Sequence, residues 1–133
     1  MTLRLPQAML DEMVAHATDE LPNECCGIIA GQDGTATRFY RTKNSEASPF
    51  RYNIDPRDIL RIERDIDDND WQVLVIYHSH VASEAYPSQK DVRLAFYPEA
   101  SYLIVSLSDM QKPVLRSFKI KEEKVTEEEI RLA

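Results

Sequence analysis

The run Trp71-Gln72-Val73-Leu74-Val75-Ile76-Tyr77 is apolar and β-branched enough to be a buried strand, and it passes without a break into His78-Ser79-His80. Side chains two apart on a strand project to one side, so both imidazoles leave the strand end together and can share one ion. Downstream, Pro87-Ser88 opens a helix that carries Val92, Leu94, Ala95 and Phe96 as far as Pro98. Asp91 lies one turn inside that helix. A loop that folds back over the strand end brings its carboxylate to the two histidines.

The chain has 133 residues, room for one domain spanning 1–133 and none for a second. A domain near this size removes roughly two-thirds of its unfolded surface from water, enough for a real core. No repeat is visible and no apolar run approaches the roughly 20 residues of a membrane span. The N-terminal Met1-Thr2-Leu3-Arg4-Leu5-Pro6 lacks a signal peptide's apolar stretch, and the expected location is the cytoplasm. Cys25 and Cys26 are adjacent and pair poorly with each other, which fits a reducing compartment. With 23 acidic against 16 basic residues the formal charge is -7, and the cations are scattered, so neither nucleic acid nor a membrane is expected as partner.

Pro6 opens a helix in which Met9, Met13, Val14 and Ala17 recur at helical spacing until Leu21-Pro22. Cys25 to Gly31 reads as a buried strand, a turn follows at Gln32-Asp33-Gly34, and Thr35 to Thr42 reads as a second strand. Asn44 to Asn53 is a loop. Asp55 and Pro56 supply an N-cap and first-turn proline for a helix with Ile59, Leu60, Ile62 and Ile66 on its apolar face. Tyr102 to Leu107 and Val114 to Ile120 are strands, and the charged tail from Lys121 forms either a strand or a helical turn. This order describes an α/β or α+β domain with helices packed on one sheet.

Catalytic zinc sites usually offer three protein ligands and leave a fourth position to water, and His78, His80 and Asp91 supply that count. Glu24 stands at the mouth of a buried strand that a neighbour could bring opposite the histidines, where it would accept the water's proton and pass it to a leaving amine. Ser88 could donate to the oxyanion of a tetrahedral intermediate. The reaction class is metal-assisted amide hydrolysis.

Plainer readings stand beside these. His-x-His is a short motif that also suits two ordinary strand-end histidines, and Ser-x-x-Asp before an apolar run is also a capping box. A serine at a helix start can do both jobs. Glu24 alone is one carboxylate among many. The cysteines read as small buried apolar residues, His16 as a surface or boundary side chain, and the acidic run Asp65 to Asp70 as a solvated helix end. Ser83, Tyr86 and Tyr77 either line a substrate path or pack the loop.

Taken together, Pro22-x-Glu24, Cys26-Gly27, Gly31 and His78-x-His80, with seven residues before Ser88 and two more before Asp91, resemble the JAMM (MPN+) metallopeptidases over nearly the whole chain. The resemblance implies a cytidine-deaminase-like three-layer domain with a mixed sheet between helices. It implies zinc on His78, His80 and Asp91, a water-polarising Glu24 and an oxyanion-stabilising Ser88. Where small prokaryotic members usually carry proline after the second histidine, this chain has Val81. It also has no length for the insertions of ubiquitin-chain-selective relatives, and is most similar to the single-domain type. Such members cut after the Gly-Gly tail of ubiquitin-like sulfur-carrier proteins, including release of cysteine from a carrier adduct in cysteine biosynthesis. A homodimer is compatible with this reading. Two alternatives stay open: a non-haem iron oxygenase built on the two-histidine, one-carboxylate triad, and a non-catalytic scaffold of the same fold.

Overall fold

A computed structural model describes residues 1–133. The elements in order are β1 (Thr2–Leu5), α1 (Gln7–Asp19), β2 (Cys26–Gln32), β3 (Thr35–Thr42), α2 (Pro56–Asp68), β4 (Gln72–His80), α3 (Gln89–Arg93), β5 (Ser101–Ser106), β6 (Val114–Lys121) and β7 (Lys124–Leu132). All seven strands join one sheet in the order β1-β7-β6-β5-β4-β2-β3. It is mixed: β4 runs parallel to β5 and β1 parallel to β7, while the other pairs are antiparallel.

Helices cover both faces, as the three-layer expectation requires. On one face Met13 and Ala17 of α1 pack on Ile29, Val75, Tyr77, Leu103 and Val105. On the other, Ile62 and Ile66 of α2 pack on Ile28, Ile76, Tyr102, Ile104 and Phe118. Strand β4 lies inside the sheet between β2 and β5, which is why its sequence is apolar on both sides rather than alternating. The Asp55 carboxylate caps α2 by accepting the Arg57 N–H at 2.9 Å, with Pro56 in the first turn. No helix is long and apolar enough to cross a membrane.

Four expectations are corrected. Strand β1 was not foreseen; it exists because the tail, as β7, offers it a parallel edge, Leu3 beside Ile130 and Leu5 beside Leu132. The tail is therefore strand, not helix. Leu60 lies off the buried stripe of α2 and is 54% exposed. Helix α3 ends at Arg93 instead of reaching Pro98, because Pro98 biases Tyr97 away from helical geometry and the Tyr97 N–H is taken by the Tyr102 hydroxyl at 2.9 Å.

The fourth correction concerns His16, which is buried. Its Nδ1 lies 2.7 Å from the Tyr77 hydroxyl, and the two rings meet edge to face. Burial holds the Tyr77 hydroxyl well above its ordinary value, so the phenol donates and a neutral His16 accepts. Burial, aided by the Arg41 guanidinium, pushes the His16 pKa from 6.5 down to about 4, against the opposing charges of Asp19 and Glu12. The unfolded chain then binds a proton that the folded chain refuses. The stability this group contributes is complete above pH 6.5 and is lost as pH falls toward 4, a loss of about 3 kcal/mol. In urea titrations between pH 7 and pH 4.5, His16→Gln is expected to lose less stability than wild type; equal losses would assign the acid sensitivity elsewhere.

Candidate metal centre and its cleft

The site is built on the end of β4. His78 pairs in register with Cys26 of β2 and Ile104 of β5, so its backbone is held from both sides. Beyond β2's first residue the pairing continues: the Ser79 N–H reaches the Cys25 carbonyl at 3.1 Å, and the Cys25 N–H reaches the Ser79 hydroxyl at 2.8 Å. These bonds draw Glu24 alongside the strand end. Asp91 arrives from α3, whose start is a complete capping box: the Ser88 hydroxyl accepts the Asp91 N–H at 3.0 Å, and Asp91 Oδ2 accepts the Ser88 N–H at 2.9 Å. The capping-box reading of Ser-x-x-Asp is therefore present in the fold, and the Ser88 hydroxyl, as acceptor there, keeps its own proton free.

Three atoms converge. His78 Nε2 and His80 Nε2 are 3.2 Å apart, and Asp91 Oδ2 lies 3.1 Å from the first and 3.2 Å from the second. A tetrahedral zinc with bonds near 2.0–2.1 Å has ligand-to-ligand edges of about 3.3–3.4 Å, so this triangle fits one such ion. The donor chemistry agrees. His80 donates from Nδ1 to the Glu84 carbonyl at 2.7 Å, which leaves Nε2 of the neutral ring with a bare lone pair aimed at a carboxylate. Lone pairs cannot face each other at that distance without a proton or a metal ion between them. Tyr52 stacks on the other imidazole, with ring centroids 4.3 Å apart from those of His78, and fixes its plane.

The electrostatics describe the same need. Burial disfavours charge on both histidines; it prevails at His78, whose pKa falls. At His80 burial is outweighed by the Asp91 carboxylate and the Glu84 carbonyl, and the pKa rises. Burial opposes ionisation of Asp91, yet the two imidazoles and the Ser88 N–H hold its pKa well below the usual carboxylate range. A proton on His80 is the positive charge these groups can recruit unaided. A divalent ion would supply it better.

Glu24 is buried, with Oε1 lacking any hydrogen-bond partner, and burial raises its pKa to about 8, with the Asp91 charge adding to the rise. An orphaned, easily protonated carboxyl beside a cleft is suited to moving a proton. The cleft itself, about 440 Å³, is lined by Glu24, His80 and Ser88 together with Pro22, Pro49, Phe50, Val81, Ala82 and Ser83. Of the three residues read as either path-lining or loop-packing, Ser83 lines this cleft. Tyr77 does not: it points to the opposite face of the sheet, under α1. Tyr86 packs edge-on to Phe118, with the Arg116 guanidinium over its ring. Sequence reasoning missed Asn44, Phe50 and Tyr52, all in the β3–α2 loop, where no periodicity marks them.

A family model described as prokaryotic homologs of the JAB domain matches residues 6–121. Among curated proteins, the chain is 43% identical over 124 residues to the CysO-cysteine peptidase of Mycobacterium tuberculosis, covering 92% of this chain and 85% of that protein. Among solved structures, a protein from Desulfitobacterium hafniense is 45% identical with a TM-score of 0.87, covering 100% of this chain and 93% of the other. A JAB1/MPN domain protein from Archaeoglobus fulgidus, 15% identical with a TM-score of 0.62 over 96% of this chain and 98% of the other, shares the fold.

Metal-free protein is expected to take up one zinc ion per chain and to melt several degrees higher with it. His80→Ala or Asp91→Ala should lose both responses. Wild-type stoichiometry retained in Asp91→Ala, measured by elemental analysis, would remove the carboxylate from the site.

Proposed function

The chain belongs to the prokaryotic JAB-domain family, the small JAMM/MPN type, and from that premise we propose that residues 1–133 form one zinc-dependent peptidase domain. Its substrate is a ubiquitin-like or sulfur-carrier protein, cut at the amide or isopeptide bond after a C-terminal Gly-Gly, for instance to release cysteine from a carrier adduct. The observation that carries this reading is the triangle of His78 Nε2, His80 Nε2 and Asp91 Oδ2 beside the unpartnered carboxyl of Glu24. The name of the mycobacterial relative, which pairs a carrier with cysteine, supports the choice of substrate. The two unpaired, buried cysteines support a reducing compartment such as the cytoplasm.

Zinc held by His78, His80 and Asp91 would supply Lewis acidity and bring the pKa of water from about 15.7 toward 7. The protein does the rest. Glu24 takes the proton of the attacking water and returns it to the leaving nitrogen, and the elevated pKa set by its burial suits both steps. Beside a divalent charge Glu24 would lose part of that elevation and would keep its base form populated at neutral pH. Ser88, its oxygen already anchored on the Asp91 N–H, directs its hydroxyl proton at the developing oxyanion. Pro22, Pro49, Phe50 and Val81 form apolar walls along which a side-chain-free glycine tail can lie extended. The iron-oxygenase alternative shares the triangle of His78, His80 and Asp91 but leaves Glu24 and Ser88 without a task.

Zinc-loaded protein incubated with a ubiquitin-like sulfur carrier extended by one residue past Gly-Gly should return the carrier's mass to that of the Gly-Gly form. Glu24→Gln is expected to keep its zinc and lose at least 100-fold in rate, and Ser88→Ala to lose about 100-fold. Near-normal turnover in Glu24→Gln would end the role assigned to it.

A further inference from the structure

The loop between β3 and α2 crosses beside the strand end with a single backbone bridge of its own, Asn44 to Ile54. Beside that bridge and a few serine and asparagine bonds within the loop, its buried tie is the side chain of Asn44. That amide is buried and uses all four of its bonding positions: Nδ2 donates to the carbonyls of Glu24 and Arg51, and Oδ1 accepts the N–H groups of Glu46 and Asn53, each at 3.0 Å. The Ser48 carbonyl of the same loop accepts the Glu24 N–H at 2.9 Å. Both backbone polar groups of Glu24 are therefore bonded to this one loop. The loop also carries Phe50, a residue 85% exposed in the cleft wall shared with Glu24, His80 and Ser88, and Tyr52, stacked on His78. A large apolar side chain left in water on a tied-down loop gains free energy when a bound chain covers it, and loses little freedom in doing so.

We propose that Asn44 is a positioning residue: through one amide it sets both the backbone from which the Glu24 carboxyl projects and the Phe50 wall against which the substrate tail lies. The reacting groups are those of the peptidase reading above, on which this inference rests; the hydrogen bonds are independent of it. A base displaced by about 1 Å loses on the order of 100-fold in rate. One substitution at Asn44 should thus lower kcat through Glu24 and raise KM through Phe50, although Asn44 touches no reacting atom.

The test uses the zinc-loaded full chain and the extended carrier, with zinc content and melting measured on every variant. Asn44→Ala is expected to bind one zinc, to lose at least 10-fold in kcat and to gain several-fold in KM. In a Glu24→Asp background, where the carboxyl is already withdrawn, the same change should lower kcat less than 3-fold further, because the two act through one group. A lower melting temperature with unchanged kcat and KM, or an equal loss of kcat in both backgrounds, overturns the proposal. Asn44→Asp keeps the shape and the two acceptor bonds but removes both donors, and carries the same readings if the alanine variant does not fold. Should wild type cleave no carrier, the peptidase reading fails, and amide exchange decides this one: faster exchange of the Glu24 N–H in Asn44→Ala, with β4 unchanged, supports it, and unchanged exchange overturns it.

Discussion

Everything at the site depends on β4 being hydrogen-bonded along both edges, to β2 and its approach as far as Ser79 on one side and to β5 as far as His80 on the other. A strand held that way cannot rotate, so the alternation of its side chains becomes an instruction for which layer each one enters. Val75 and Tyr77 go into the α1 layer; Ile76 goes into the α2 layer, and His78 and His80 follow it to the same side. The phase is set by a local irregularity: Ile29 pairs with Val75 but Ala30 with Val73, which leaves Leu74 as the extra residue of a bulge. A one-residue shift there would exchange the histidines for Tyr77 and Ser79 at the strand end.

The layer behind the site is fitted around Tyr77. A Cβ on Gly27, the neighbour in register across β2, would overlap the Tyr77 ring, so only glycine lets the phenol lie flat against the sheet. The phenol's hydroxyl then finds its partner in His16, and Phe39 packs against its ring at 5.2 Å. A polar pair thus sits in an apolar layer, satisfied and uncharged, directly behind the strand that presents the imidazoles.

Much of this was legible in the residues because it is local. The β4 run, the Asp55-Pro56 start of α2, and the pattern of α1 each carry their own signal, and the spacing of His78, His80, Ser88 and Asp91 names the cluster the fold brings together. The misreadings are non-local. Strand β1 has an edge to pair with only once β7 has formed more than 120 residues later. Burial of His16 comes from a tyrosine 61 positions away. Helix α3 carries apolar residues beyond Arg93 in a helical pattern, and a hydroxyl from β5 overrides it. Asn44 shows the limit most plainly, since a loop asparagine looks the same whether it bonds to water or to the backbone of the candidate base.

Asp91 shows how one side chain serves folding and chemistry without conflict. A capping box asks its carboxylate to sit over the start of α3 and accept the Ser88 N–H, and a metal centre asks it to face two imidazoles; both demands fall on Oδ2. An oxygen has lone pairs enough for an N–H and a cation, and the backbone bond restrains the carboxylate's rotation before any ion arrives. The helix is only five residues long and buries none of them. Apart from Val92 packed on the core and an exposed Lys90–Glu46 pair, α3 rests on its capping box, so the box that starts it also aims the carboxylate, and an ion shared with β4 would in turn tie that short helix to the sheet. Site and local fold are therefore coupled through one oxygen atom, each stabilising the arrangement the other requires.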